Sequence, residues 1–174
     1  YGYPSYGAAI CAKNSTVEMY DCIVEGNGTE DSTDEDREAA YSIFYIWSTD
    51  FTAVNMDFIN NGDAPEKGFY DSAAIWLYPD DMNILIDGCN FENNNTEIIF
   101  NTGMTDSIDL RVLKTTFKNN KSTVYTGKYV SSGYFEACTF ANNRLSEEYY
   151  SFYIHPRDTL TFRDCDMGDS DYND

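Results

Sequence analysis

A short pattern recurs along the chain and limits what the chain can fold into. Four segments place Phe at the third position and Asn at the fifth and sixth: 56–61, 89–94, 115–120 and 138–143. Segments 22–27 and 165–170 are degenerate copies at the two ends. The third residues, called anchors below, follow one another after 34, 33, 26, 23 and 27 residues. Irregular periods of this size predict stacked repeats with loops of varying length.

The residues that precede each anchor predict strands. Positions two, five and seven before the anchor are mostly apolar, and the residues between them are mostly polar. This alternation indicates two short strands joined by a bend or bulge, because one step is odd. A further apolar strand precedes each pair, at 8–11, 43–47, 73–77, 97–100, 122–125 and 150–154. Three short strands per repeat, without helical spacing, predict an all-β parallel solenoid of about six coils, roughly 29 Å tall.

The anchors and the residues two positions before them are predicted to face inward as a core ladder. Its members are Val24, Phe58, Phe91, Phe117, Phe140, Met167, Cys22, Cys89, Cys138 and Cys165. A stack spreads these thiols along an axis, whereas a metal site needs sulfurs that converge at about 2.3 Å. We therefore expect buried, mostly unbridged thiols and no metal. Cys138 with Cys165, and Cys11 with Cys22, are the pairs for which a disulfide is conceivable.

The repeat also resembles a known family. The Phe-x-x-Asn segments, together with 7–10 and 72–75 as relaxed versions of Gly-Gly-Ala-Ile, resemble the paired repeat of polymorphic outer-membrane proteins and adhesin-like passengers. The resemblance covers nearly the whole chain. It implies a right-handed, single-stranded parallel β-helix of the pectate-lyase-like superfamily, a fold that serves adhesins, surface fibres, lyases and hydrolases.

The paired asparagines allow two interpretations. Asn tolerates left-handed backbone and can bond its own kind along a stack, so the pairs suit a tight bend repeated from coil to coil. Four sequons instead make glycosylation candidates of Asn14, Asn27, Asn94 and Asn120. A side chain inside the stack cannot also carry a sugar, so the two interpretations exclude each other at each residue.

Charge and composition limit the partners. The chain has 11 Lys and Arg against 30 Asp and Glu, a net charge of −19, which argues against nucleic acid and anionic membrane surfaces as partners. Its longest apolar runs, such as 41–47, are far shorter than the roughly 20 residues of a membrane span. The sequons, the acidity and the many tyrosines favour an extracellular or cell-surface glycoprotein. We expect one domain over 1–174, as a segment or subunit of a longer assembly.

A catalytic role has only weak support. His155 is the single histidine, and Asp80, Asp81 and Arg157 supply the residue types of calcium-dependent lyases without a recognisable motif. Residues 101–103 only partly match a glycosidase motif.

No cofactor is predicted, and calcium is the one candidate. Asp169, Asp171 and Asn173 alternate as in a calcium loop, but the turn Gly and the closing Glu of such a loop are absent.

The sequence therefore favours a non-catalytic structural or adhesive module, a unit of a surface fibre or adhesin. Its expected partners are modules of the same kind that stack at the coil ends, and glycans. A polysaccharide lyase or glycoside hydrolase is the alternative.

Overall fold

The structure, a computed structural model, describes residues 9–27, 42–62, 73–78, 81–101, 108–120, 124–127, 132–143, 152–154 and 159–168. All regular structure within these ranges is β-strand, and no helix there has the length and apolarity that crossing a membrane requires. The first sheet contains β1 (Ile10–Lys13), β4 (Ser42–Trp47), β7 (Ala73–Tyr78), β10 (Glu97–Asn101), β13 (Tyr125–Gly127) and β16 (Phe152–Tyr153).

Two more sheets complete each coil. The second contains β2 (Thr16–Tyr20), β5 (Asp50–Val54), β8 (Met82–Asp87), β11 (Ile108–Leu113), β14 (Ser132–Glu136) and β17 (Thr159–Arg163). The third contains β3 (Ile23–Glu25), β6 (Asp57–Ile59), β9 (Asn90–Glu92), β12 (Thr116–Lys118) and β15 (Thr139–Ala141). A bridge from Thr139 to Asp166 extends the third sheet into the last coil. Neighbouring strands in each sheet are parallel and lie three elements apart along the chain, so the chain winds as a parallel β-helix of six coils, as predicted.

The coil register follows the repeat. Val24 pairs with Phe58, Phe58 with Phe91, Phe91 with Phe117 and Phe117 with Phe140. The positions five and seven before the anchor also pair with their equivalents in the next coil throughout the second sheet. The strand bounds were less predictable: the strand expected at 8–11 runs from Ile10 to Lys13, and the one expected at 122–125 from Tyr125 to Gly127.

The predicted bend before each anchor is a column of left-handed residues. The residue three positions before the anchor has φ between 48° and 63° in all six coils: Asp21, Asn55, Gly88, Lys114, Ala137 and Asp164. Asn and Gly adopt this backbone readily, but Lys114 and Ala137 do so at a cost. The stacked coils above and below therefore hold these two residues in a conformation that their own side chains disfavour.

The core lies between the three sheets and is filled by inward-facing apolar side chains from every coil. Two of the ten ladder positions depart from the prediction. Met167 is 52% exposed and Cys22 is also exposed, although both occupy the register of buried residues in neighbouring coils. Cys165 is half-buried. No described coil covers the outer side of the first and last coils, although Val24 in the first coil is buried.

Strands β4 and β7 of the first sheet are also buried on the outer face of that sheet. Tyr45, Ala73 and Trp76 form a second apolar cluster there, and Trp47 packs against it. Strands β4 and β7 are consequently buried on both faces over most of their length. Their continuous apolar sequences, without alternation, are typical of strands buried on both faces.

Candidate functional site

The anchor column is a stack of parallel aromatic rings. Ring centroids lie 4.5 Å apart between Phe58 and Phe91, and 5.1 Å apart in the pairs Phe91–Phe117 and Phe117–Phe140. Interplanar angles are 5° to 7°. Each ring therefore packs against the coil before it and the coil after it, and its burial depends on both neighbours.

The asparagine three positions after each of the first five anchors belongs to a hydrogen-bonded ladder beside the ring stack. In the middle of the ladder, Asn94 Nδ2 donates to Asn120 Oδ1 at 2.9 Å and to the Phe58 carbonyl at 2.9 Å. The backbone N–H of Asn94 also donates to Asn120 Oδ1, at 3.0 Å. The same arrangement links Asn27 to Asn61, Asn61 to Asn94, and Asn120 to Asn143. The ladder is directional, because each Oδ1 accepts from the coil before it.

The ladder corrects two of the four glycosylation candidates. Asn94 and Asn120 are fully buried, and each Nδ2 donates two hydrogen bonds. A glycan on either nitrogen would remove a donor and would not fit inside the stack, so these two residues are structural. Asn27 is half-buried, and its Nδ2 donates to Glu25 and Asn61. Asn14 is exposed at a bend and remains a predicted glycosylation site.

The inward thiols bond to the backbone. All five cysteines are free, and Cys89 and Cys138 are buried. Cys89 Sγ donates to the Ala53 carbonyl, and Cys138 Sγ to that of Val112, each at 3.4 Å and each to the preceding coil. Burial raises the pKa of both thiols from the ordinary 9.0 to about 11. A buried thiol with a raised pKa is a poor nucleophile and a poor metal ligand.

Apolar side chains are exposed mainly on the two end coils. Of the seven large exposed hydrophobic residues within the described ranges, Tyr20 and Ile23 are in the first coil, and four are in the last: Tyr153, Ile154, Phe162 and Met167. The seventh is Tyr78. Phe162 is 37% exposed and Met167 is 52% exposed, whereas Phe135 and Phe140, their register partners, are 0% and 4% exposed. The outer face of the last coil therefore presents the same kind of large apolar side chain that fills the core.

The residues predicted for catalysis or calcium binding are not brought together in the described part of the chain. Asp81 is exposed at a bend, and Asn101 is buried. The other candidates lie outside the described residues: Asp80, Thr102, Gly103, His155, Arg157, Asp169, Asp171 and Asn173. Across the described ranges there is no group of three His, Cys, Asp or Glu side chains that suits a metal ion.

The sequence pattern does not distinguish the end faces as a site, although stacking at the coil ends was predicted. The side chains that make these faces, such as Phe162 and Cys22, carry the same pattern as core residues. Their position in the first or last described coil is the only signal that distinguishes them.

Comparison with known proteins supports the fold alone. A family profile described as "Right handed beta helix region" matches residues 3–167, nearly the whole chain. The search of curated proteins finds no match, and neither does the search of solved structures.

Proposed function

The chain belongs to the right-handed β-helix family, and from that premise we propose that it is a non-catalytic structural or adhesive module. In this role further β-helix modules stack on its end coils, as in a surface fibre or an adhesin stalk. The observation that carries the proposal is the exposure of inward-facing side chains in the last coil, where Ile154, Phe162 and Met167 are 37% to 52% exposed. A soluble solenoid that works alone covers such faces with a polar cap.

The backbone of the end coils supports the same role. Parallel strands bond through N–H and C=O groups on both edges. Among the described residues, the strands at the two ends of each sheet pair with one other strand only, so their outer groups are available to a further coil. An added coil would bury both the apolar side chains and these edges. A single stacking contact would therefore remove both the exposure of apolar side chains and the unpaired backbone groups.

We also propose that the module is extracellular or on the cell surface. The Phe-x-x-Asn repeat of adhesin-like passengers and the exposed sequon at Asn14 support this location. A net charge of −19 would keep the sides of neighbouring stacks apart, which favours growth along the axis over lateral clumping. The role requires no cofactor, and glycans remain proposed partners of the lateral faces.

The test is the state of the protein in its native source. Sedimentation and immuno-electron microscopy should place the chain in elongated assemblies outside the cell. Incubation with acidic and neutral polysaccharides should release no unsaturated product and no reducing ends. A free monomer that cleaves a polysaccharide would overturn the proposal in favour of the lyase or hydrolase alternative.

A further inference from the structure

The second coil contains the dipeptide Asn61–Gly62, and an asparagine followed by glycine is the pair at which peptides deamidate most readily. The backbone nitrogen of the glycine attacks the side-chain amide carbon of the asparagine, and glycine has no side chain to hinder the attack. Of the buried ladder asparagines that the structure describes, only Asn61 is followed by glycine. We propose that Asn61–Gly62 is a latent deamidation site, which the ladder keeps unreactive while the second coil is closed.

The fold requires this labile pair. Gly62 has φ of 87°, and a Cβ atom on it would lie 2.9 Å from Thr96 Cβ and 3.0 Å from the backbone carbon of Asn95, which is too close for a side chain. Asn61 is needed because its amide joins the ladder steps on both sides of the coil. Neither residue can be exchanged for a more stable one without loss of packing or of hydrogen bonds, so the protection has to come from the structure.

The closed coil holds both groups that would react. The N–H of Gly62 donates to the Asn27 carbonyl at 2.8 Å. The Asn61 side chain is fully buried, and its Nδ2 donates to the Val24 carbonyl at 2.8 Å and to Asn94 Oδ1 at 3.0 Å. Its Oδ1 accepts from the backbone N–H and from Nδ2 of Asn27, at 3.0 Å and 3.2 Å. Attack requires hydroxide to reach the Gly62 N–H and the amide to turn, and both steps break these hydrogen bonds.

The reaction needs only water and base. Hydroxide removes the amide proton of Gly62, and the nitrogen forms a bond to Cγ of Asn61. The bond from Cγ to Nδ2 breaks, so that ammonia leaves and a succinimide ring remains. Water then opens the ring at either carbonyl. The product is aspartate or isoaspartate, with one water consumed, one ammonia released and no change in oxidation state.

Neither product can take the place of the asparagine in the closed coil. Aspartate has no Nδ2 to donate to the Val24 carbonyl, and it turns a carboxylate oxygen towards Asn94 Oδ1, which is itself an acceptor. An ionised carboxylate is also costly at a position that is 0% exposed. Isoaspartate lengthens the backbone by one atom, which moves the Gly62 N–H away from its acceptor. Opening of the second coil is therefore recorded covalently, as a one-way switch.

The first experiment follows the two Asn-Gly pairs of the chain by peptide mapping at mildly alkaline pH, with and without guanidinium chloride. In the unfolded chain, Asn61–Gly62 and Asn27–Gly28 should deamidate at similar rates, because the two pairs are chemically alike. In the folded chain, Asn61 should react at least about 100-fold more slowly than in the unfolded chain, since the reaction waits for local opening. A slowing of less than about tenfold would overturn the proposal.

The second experiment separates the ladder from the stability of the whole chain. Asn94→Ala removes the acceptor of two N–H groups of Asn61, and should speed deamidation of Asn61 in the folded chain at least about tenfold. Asn143→Ala is the matched control, because it removes the same two bonds from Asn120, three coils away from Asn61. The variants are compared at denaturant concentrations that give them equal free energies of unfolding. Equal rates at Asn61 would contradict the proposal, because stability alone would then explain them.

The third experiment tests whether deamidation is a switch. Asn61→Asp reproduces one product, and should lower the denaturant midpoint of unfolding or prevent folding. Asn60→Asp is the matched control, because it adds the same charge one residue earlier, at an exposed position, and should leave the midpoint nearly unchanged. If the two variants unfold at the same denaturant concentration, the product fits the closed coil and the switch is overturned.

Discussion

The third and fourth coils and the sixth coil carry the same sequence pattern but differ in burial. Phe117 in the fourth coil is fully buried between Phe91 and Phe140, whereas Met167, at the same register position in the sixth, is 52% exposed. Val112 and Phe162 show the same contrast in the second sheet. Register position alone therefore does not bury a residue of the last coil, although Val24 at the same position in the first coil is only 7% exposed.

The largest expected effect comes from the middle of the anchor column. Phe117→Ala should lower the free energy of unfolding by about 3–5 kcal/mol, because it removes a buried ring and leaves a cavity between two others. Met167→Ala, at the same position in the last coil, should cost less than about 1 kcal/mol, since most of that side chain already contacts water. Urea unfolding of dilute protein measures both variants.

If Phe117→Ala unfolds like the parent chain, the coil register is wrong. If Met167→Ala costs as much as Phe117→Ala under dilute conditions, the last coil is covered in the monomer.

In the asparagine ladder, too, a substitution in the middle should lower the free energy of unfolding more than one at the end, by a smaller amount than in the anchor column. Asn120→Ala removes the acceptor of two N–H groups of Asn94 and the donor to the Phe91 carbonyl, and should cost about 2–4 kcal/mol. Asn27 begins the ladder at a half-buried position, so Asn27→Ala should lower the free energy of unfolding by about 1 kcal/mol or less. Equal costs at the two positions, measured by thermal and urea unfolding, would show that the ladder is not cooperative along the axis.

The rate of alkylation should also differ between buried thiols in the middle coils and exposed thiols in the first coil. In the folded chain at pH 8, Cys89 and Cys138 should be alkylated at least about 100-fold more slowly than in the unfolded chain, because burial raises the pKa of each to about 11. The exposed thiols of Cys11 and Cys22 should react without unfolding. Peptide mapping after timed alkylation distinguishes them, and rapid labelling of Cys89 would contradict its place in the core.

The same two thiols predict a pH dependence of stability. Above about pH 9 the unfolded chain releases these protons, while the folded chain retains them up to about pH 11. The unfolded state then binds fewer protons than the folded state, so the free energy of unfolding falls as pH rises from 9 to 11. Below pH 9 the two thiols contribute no slope. Cys138→Ser should remove its share of the decrease, and an unchanged slope in that variant would contradict the assignment.

Most of the fold was predictable because the pattern of apolar and polar side chains determines the register of the coils. Each inward column, from Val24 to Phe140 in the anchor series, was identified by alternation and by the fixed offset from the Asn pair. Strand bounds were less accurate, since a strand ends where its neighbours stop pairing. The left-handed backbone at Lys114 and Ala137 was not predictable, because neither residue type favours it and only the stacked coils impose it.

The site was less predictable for the same reason. Nothing in the sequence around Cys22 or Met167 separates them from buried residues of the same column, so their exposure was missed. At Asn94 and Asn120 the sequence alone was equally consistent with glycosylation and with a buried place in the ladder. The hydrogen bonds of each amide, to the coils before and after it, decided between them.

Amide hydrogen exchange, followed by mass spectrometry, tests the central claim most directly. In dilute solution, peptides from β8 to β12 should exchange slowest, and those from β1 to β3 and from β16 and β17 fastest, because local opening costs least where a coil has one neighbour. End peptides as protected as the centre in the dilute monomer would contradict the account, because they would show that the end coils are already covered.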